Sequence, residues 1–215
     1  PSLGYAYYPV SEGRLRNNGL EVELNWEAYK SKDISVNVRA NGGYYKNKML
    51  IMPVDPFGVP KHYELQGNYA YKKGHSVLDY YMPIWKGVSN EGLPMWKAYT
   101  YKDASGNDAY VTDYEKYIST GGDAKALTET TTSDYNKAVN EFVGKSAIPD
   151  FVGGFGFDVQ IKNVNISTNF SYGLGGWGYD GVYAGLMSSG SVIGTRNWHK
   201  DIRNYWSSDK HTDLP

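Results

Sequence analysis

The sequence predicts an all-β fold built from antiparallel strands. Two stretches near opposite ends of the chain each fold back on themselves with residues that alternate apolar and polar, the period-two pattern of a strand with two unlike faces. Tyr (21) and Gly (25) are abundant among the 215 residues while the mean hydropathy is polar. That combination suits strands joined by wet turns, not a helical bundle or a disordered tail. No run of 18 or so apolar residues is present. This excludes a spanning helix but not a spanning barrel, whose alternating strands never build a hydropathy peak.

The first hairpin begins with Leu20, Val22, Leu24, Trp26 and Ala28 on one side and Glu21, Glu23, Asn25 and Glu27 on the other. Lys30-Ser31-Lys32-Asp33 is a short polar break, after which Ile34, Val36, Val38 and Ala40 alternate with Ser35, Asn37, Arg39 and Asn41. The second hairpin repeats the design. Phe155, Phe157, Val159 and Ile161 alternate with Gly154, Gly156, Asp158 and Gln160, Lys162-Asn163 turns the chain, and Val164, Ile166, Thr168, Phe170 and Tyr172 alternate with Asn165, Ser167, Asn169 and Ser171. Each predicted strand has about 9–11 residues, the length that a tilted strand needs to cross a bilayer. The turns within hairpins are short and the connection between them is about a hundred residues long, the asymmetry of an outer-membrane barrel. From the residues alone two architectures stay open: a membrane barrel with its apolar face to lipid, and a soluble sandwich with that face in a core.

The middle, about residues 49–149, is less regular. Met49-Leu50-Ile51-Met52 ends the second strand before Pro53 and Pro56. The aromatic-rich stretches Ser76–Trp85 and Leu93–Tyr101 read as strands, Ala104–Asp108 as a turn and Thr128–Thr132 as a polar low-complexity patch. Ser133 is placed to cap a helix running through Val143, with Tyr135, Val139 and Phe142 on one face and Gly144 ending it. Gly173–Gly185 is rich in Gly, Trp and Tyr, and a short helix is expected around Asn197–Trp206. Pro1–Tyr5 has no basic n-region or apolar h-region and His211–Pro215 is turn-like. Both ends read as cut, so a segment of a longer mature chain is expected.

Composition excludes several functions. Lys+Arg 22 against Asp+Glu 23 gives a net charge of −1, which argues against a general polyanion binder and so against nucleic acid as partner. With no Cys there is no disulfide framework, thiol nucleophile or Cys-ligated zinc.

The motifs that resemble catalytic sites have plainer readings. Glu21, Glu23 and Glu27 have the residue spacing for a pair of glycosidase carboxylates, yet they read as a solvated strand face. No metal-ligand spacing links His62, His75, His199 and His211. His199 beside Lys200 and Asp201 reads as a structural hydrogen-bonding residue. Gly173–Gly178 lacks the Gly-Lys-Ser/Thr ending of a phosphate loop, and Gly144-Lys145-Ser146 has Val139 where that motif needs its first Gly. The sequons at Asn165 and Asn169 fall on a strand's polar face, where chance is the better explanation. The expectation is no catalytic residue, no metal and no cofactor.

Five blocks, in order along nearly the whole chain, resemble the C-terminal barrel region of SusC/RagA-type TonB-dependent transporters of Bacteroidetes outer membranes. Glu12–Leu24, containing Arg16-Asn17-Asn18-Gly19-Leu20-Glu21, looks like the family's strand opening, and Tyr44–Met49 like the end of the next strand. Trp85-Lys86-Gly87-Val88 with Gly92-Leu93-Pro94-Met95-Trp96 is similar to its Trp-Ala-Gly-Val segment. Gly144–Gly156, with Gly153-Gly154-Phe155-Gly156, and Trp198-His199-Lys200-Asp201-Ile202 with Trp206 and Thr212-Asp213-Leu214-Pro215 are similar to two further blocks. Ser89-Asn90-Glu91 stands in place of the usual Asp-Pro turn and Ser207-Ser208 in place of Thr-Pro.

The resemblance implies the C-terminal part of a large transmembrane β-barrel over residues 1–215, with 49–149 a long extracellular loop and extended-strand region carrying short helices. It implies a non-enzymatic outer-membrane importer of oligosaccharides or other large nutrients. Its expected partners are a SusD-like surface lipoprotein, TonB through an N-terminal region absent from this chain, oligosaccharide or peptide cargo, and outer-membrane lipid. The rival is a soluble β-sandwich carbohydrate-binding module. In either case Trp85, Trp96, Tyr99, Tyr101, Trp177, Tyr179 and Tyr183 are the candidate cargo-stacking residues, because each has an apolar body and a polar tip.

Overall fold

The computed structural model describes residues 11–187 and 197–212; Pro1–Tyr5 and Asp213–Pro215, read above as a cut end and as part of a family block, lie outside them. In chain order the elements are β1 (Arg14–Lys30), β2 (Ile34–Ile51), β3 (Tyr63–Gln66), β4 (Tyr69–Lys72), β5 (Asp79–Pro83), β6 (Trp85–Val88), β7 (Pro94–Lys102), β8 (Asp108–Val111), α1 (Tyr114–Ser119), β9 (Thr128–Thr132), β10 (Asn140–Ser146), β11 (Phe151–Ile161), β12 (Val164–Leu174) and α2 (Gly181–Leu186). The antiparallel, all-β prediction holds among the described residues, with helices confined to short connecting pieces. The chain divides into two compact units, one from residues up to 79 with 144–177 and the other from 80–143 with 178 onward.

The first unit is built on one four-stranded antiparallel sheet in the order β1-β2-β11-β12. The two predicted hairpins therefore lie side by side, joined by β2 and β11 despite their separation in sequence. Cross-strand partners share a face, and the register turns two strand patterns into two continuous surfaces. On one face Leu20, Tyr44, Phe151 and Leu174 form a row, Leu24, Ala40, Phe155 and Phe170 form another, and Trp26, Val38, Phe157 and Thr168 a third. On the other, Asn25, Arg39, Gly156 and Asn169 align, as do Glu27, Asn37, Asp158 and Ser167.

The apolar face is not a core. Leu20 is 68 % exposed, Leu24 53 %, Trp26 60 % and Phe170 51 %. Its order comes from lateral contacts such as the stacked Phe155 and Phe170 rings, 4.9 Å apart. Tyr172 covers two glycines in its row: a β-carbon on Gly153 would stand 2.6 Å from its hydroxyl oxygen, and one on Gly42 3.0 Å. Ala28 is not one of the face residues, since a bulge between Glu27 and Tyr29 sets Tyr29 opposite Val36 instead. The second hairpin turns at Lys162, whose φ of 52° is the left-handed conformation that tight hairpin turns demand. A further short hairpin, β3 with β4, completes the pairing described for this unit.

The second unit has a genuine core. Tyr80, Tyr81, Ala98, Val111, Ala138 and Val139 are buried. Strand β7 is its centre, paired with β6, β8 and β9, and β5 pairs with β10. Thr128–Thr132, read from composition as a polar patch, is strand β9, since β-branched Thr fits a pleated ladder. The helix expected over Ser133–Val143 does not form. Asp134 caps a single 3-10 turn, Tyr135–Lys137, and the chain then extends into β10. Val139 is buried and Phe142 packs edge-on against Tyr81 at 5.0 Å, so tertiary pairing decides the matter over spacing. The helix expected around Asn197–Trp206 is a 3-10 turn at Lys200–Asn204 capped by His199.

Candidate functional site

The polar face of the four-stranded sheet carries a charge network drawn from three strands. Arg39 on β2 is ion-paired with Asp158 on β11, and its Nε and Nη2 donate to Asn169 Oδ1 on β12 at 3.1 and 2.9 Å. Ser167 Oγ donates to Asp158 Oδ1 at 2.5 Å. Gly156 lies beneath: a β-carbon there would meet Arg39 Nε at 3.3 Å and the Thr168 carbonyl at 2.4 Å, so glycine lets the guanidinium lie flat across the strands. On β1 each glutamate has a local partner. Glu21 accepts from the Tyr45 hydroxyl at 2.8 Å, Glu23 from Asn25 at 2.9 Å, and Glu27 pairs with Lys30 at 2.9 Å. All three pairs are exposed, so water competes with each of them and they add little to stability. Their chemical character is that of a wetted wall, rich in donors and acceptors of both signs.

The seven candidate aromatics do not form one surface. Trp85 and Trp96 face each other across β6 and β7, 5.7 Å apart edge-to-face, and Tyr135 extends the pair at 5.3 Å from Trp96. Tyr99 and Tyr101 lie on the opposite face of β7, because odd and even positions of a strand part. Tyr99 packs on Tyr114 and Tyr101 on Tyr117. Trp177 belongs to the first unit, exposed, with Lys145 Nζ 3.9 Å above its ring. Tyr179 is exposed. Tyr183 is tied down, donating to Asp201 at 3.2 Å and packing on His199 at 4.9 Å. Exposure singles out Trp85, Trp177 and Tyr179 as available to a ligand, and Tyr135, which the sequence reading placed only on a helix face, joins Trp85 and Trp96.

Beneath Tyr99 runs an ionic chain that local sequence does not reveal. Lys97 Nζ lies 2.7 Å from Glu141 and 3.3 Å from Glu129, which also pairs with Lys86 at 3.3 Å. Burial pulls the Lys97 ammonium down, but Glu141 and Tyr99 outweigh it and hold Lys97 above the usual lysine range. Lys86 and Lys97 hold the Glu129 carboxyl below the usual range. Burial, reinforced by Asp113, pushes the Tyr81 phenol up.

The remaining motifs find structural positions. His199 Nδ1 accepts from the Asp201 amide at 3.2 Å as a cap. Ser146 of Gly144-Lys145-Ser146 donates to the Leu78 carbonyl at 3.3 Å. In the glycine run, Gly176 closes on Pro149, whose Cγ would lie 3.0 Å from an added β-carbon. Asn169, the second sequon, is held by Arg39. Ser89 Oγ accepts from the amides of Glu91 and Leu93 and makes a compact turn where the family has Asp-Pro, and Trp206 sits directly over Gly92. Among the described residues, no group of three His, Asp or Glu side chains is placed to hold a metal.

No family model matches the chain. It is 26 % identical over 209 residues to TonB-dependent receptor P3 of Formosa agariphila, a match that covers 94 % of this chain and 19 % of that protein. In fold it is similar to the RagAB peptide transporter, with a TM-score of 0.64 at 22 % identity, covering 94 % of this chain and 20 % of that one. It is also similar to the RagAB peptide importer in the "open-open" state, with a TM-score of 0.66 at 23 % identity. The chain thus spans about a fifth of the length of these relatives. The resemblance to SusC/RagA-type TonB-dependent transporters, read from five sequence blocks, stands in both comparisons.

Proposed function

We propose that this chain is part of the wall and the extracellular superstructure of an outer-membrane, TonB-dependent importer, not an enzyme. One observation carries the reading: four strands in a single register present an exposed apolar face backed by a continuous polar face. Lipid is the solvent that such an apolar face needs, and a barrel satisfies the backbone hydrogen bonds that lipid cannot. A water-filled lumen suits the Arg39–Asp158–Asn169 face, which offers many weak partners to a polar cargo and no single tight site. In this reading residues 49–149 form a long connection outside the bilayer. A soluble sandwich would have to bury Leu20, Leu24 and Trp26 against a second sheet, and these side chains are more than half exposed.

Cargo in this reading is an oligosaccharide or a peptide, delivered beneath a SusD-like lipoprotein and released by TonB acting on a region outside this chain. Stacking by Trp85, Trp96 and Tyr135 favours sugar faces, while the fold relatives described as peptide transporters favour peptide. Fractionation of cells with an antibody to this segment tests the proposal. A heat-modifiable band much larger than 24.1 kDa in the outer membrane, with a co-purifying lipoprotein, is the expected result. A soluble band overturns it.

A further inference from the structure

Above the apolar face, the same side of the sheet becomes cationic. Leu20 and Tyr44 are cross-strand partners in its last apolar row, Asn18 pairs with Lys46 in the next, and Arg16 with Lys48 in the one after. Successive rows on one face are about 6.6 Å apart along a strand, so the charges begin one row beyond the apolar band. Tyr44 and Phe151, with ring centroids 5.1 Å apart, mark the boundary. Apolar, then aromatic, then basic is the order of a membrane interface, where rings sit at headgroup depth and Lys or Arg reach past them.

Arg16, Lys46 and Lys48 are exposed, and no carboxylate among the described residues pairs with any of them. Asp79 and Asp150 share their cleft, but Asp79 is engaged by His75 and the Ser76 amide. The cluster lies at the end of the sheet away from the two short turns, which the long connections mark as the outer-leaflet end.

We infer that Arg16, Lys46 and Lys48 form a docking site for the phosphorylated headgroup of an outer-leaflet glycolipid, clamping the barrel's outer rim to its lipid annulus. The inference rests on the proposed membrane reading. Arg16, Lys46 and Lys48 line one cleft with Asn18, a set whose charge and donors match a phosphate's acceptors, and each basic side chain near a charged surface is worth about a fivefold gain in affinity.

The test uses the full-length transporter, purified from outer membranes and exchanged into nanodiscs carrying either diphosphorylated or dephosphorylated lipid A. Native mass spectrometry counts the lipid retained. Wild type is expected to retain the diphosphorylated form preferentially. The Arg16→Ala/Lys46→Ala/Lys48→Ala variant should lose at least tenfold of that preference, and the Lys46→Arg/Lys48→Arg variant should keep it. Millimolar inorganic phosphate should leave retention unchanged, whereas displacement by it would mark a free-phosphate site and overturn the lipid assignment. Equal retention of both lipids by wild type, or an unchanged triple variant, also overturns it. Heat-modifiability of every variant is scored separately, so failure to form a barrel counts against the membrane reading and not against lipid binding.

Discussion

The buried hydroxyl of Tyr81 donates to Asp113 Oδ1 at 2.6 Å and accepts from the Glu115 amide at 3.1 Å, so one phenol joins strand β5 to the start of helix α1. Asp113 also caps the helix by accepting from the Lys116 amide at 3.0 Å. Tyr81→Phe keeps the edge-on packing against Phe142 but removes one donor to Asp113 Oδ1 and the hydroxyl that accepts from the Glu115 amide, a loss of about 1–3 kcal/mol. A helix of six residues has little stability of its own. Hydrogen exchange on the full transporter should show faster exchange of the amides of residues 114–119 in the variant, with the four-stranded sheet unaffected. Unchanged exchange in that helix would refute the linkage.

Glu129 gives the second unit an acid-sensitive joint. Lys86 and Lys97 hold its carboxyl below the usual range in the folded protein. A lowered folded value means the interaction is fully present above the unfolded value, about 4.3, and is lost as pH falls through the folded one. Protection of the β9 amides should therefore weaken as pH drops below about 4. Glu129→Gln should remove that step and leave a pH-independent, lower protection. An acid step that persists in the variant assigns the titration elsewhere.

The four long strands were legible because period two survives on every one of them and the turns are short. The end of β2 at Ile51 falls within Met49–Met52, where the sequence ended it, but the start of β1 was not legible: β1 runs from Arg14, ahead of the alternation, because the hydrogen-bond ladder continues where the side chains have turned polar, as at the Asn17–Asn47 contact. The helix misplaced over Ser133–Val143 shows the opposite failure: Tyr135, Val139 and Phe142 have helical spacing by coincidence, and β5 claims the segment. The candidate aromatics were legible as a class but not as a site, since strand parity divides Trp96 from Tyr99. Arg39–Asp158, 119 residues apart, and Lys97–Glu141 could not be paired without the sheet order.

Gly153 lies where β11 of the second hairpin pairs with β2 of the first, opposite Gly42. A β-carbon there would stand 2.3 Å from the Asn41 carbonyl oxygen as well as 2.6 Å from the Tyr172 hydroxyl. The Tyr172 side chain can swing away, but the β2 backbone cannot without opening the ladder. Gly153→Val should cost about 1–3 kcal/mol or more and reduce the heat-modifiable fraction on gels. Tyr172→Phe, which loses only a long contact to the Asn41 carbonyl, should leave it intact. If Gly153→Val folds like wild type, the close approach is not limiting.

Exposure divides the aromatic candidates into side chains open to solvent, such as Trp85, and packed ones, such as Tyr183. Trp85→Ala removes one of the two exposed members, Trp85 and Tyr135, of the Trp85–Trp96–Tyr135 cluster, and loss of one stacking contact costs about 0.5–1.5 kcal/mol, or about twofold to thirteenfold in affinity. Tyr183→Ala should leave binding unchanged and loosen the segment held through Asp201 and His199. Co-purification of a mixed oligosaccharide pool and a mixed peptide pool with the full transporter, read by mass spectrometry, checks both and tells which cargo class the cluster serves. Equal retention of both pools by Trp85→Ala and wild type would remove Trp85 from the cargo site.

Leu24 and Asn25 are adjacent, yet the pleat sends them to opposite solvents. Leu24 shares its row with Ala40, Phe155 and Phe170, near the middle of the apolar face, and Asn25 shares its row with Arg39, Gly156 and Asn169. In lipid, arginine at the bilayer midplane costs about 2–4 kcal/mol, while the lumen side tolerates charge. Leu24→Arg should therefore deplete the folded barrel in outer membranes, and Asn25→Arg should assemble at near wild-type level with altered passage of charged cargo. In water the exposed Leu24 would accept arginine as readily as Asn25 does. The pair thus measures which solvent the apolar face meets: a difference between neighbours requires lipid, and equal tolerance requires water.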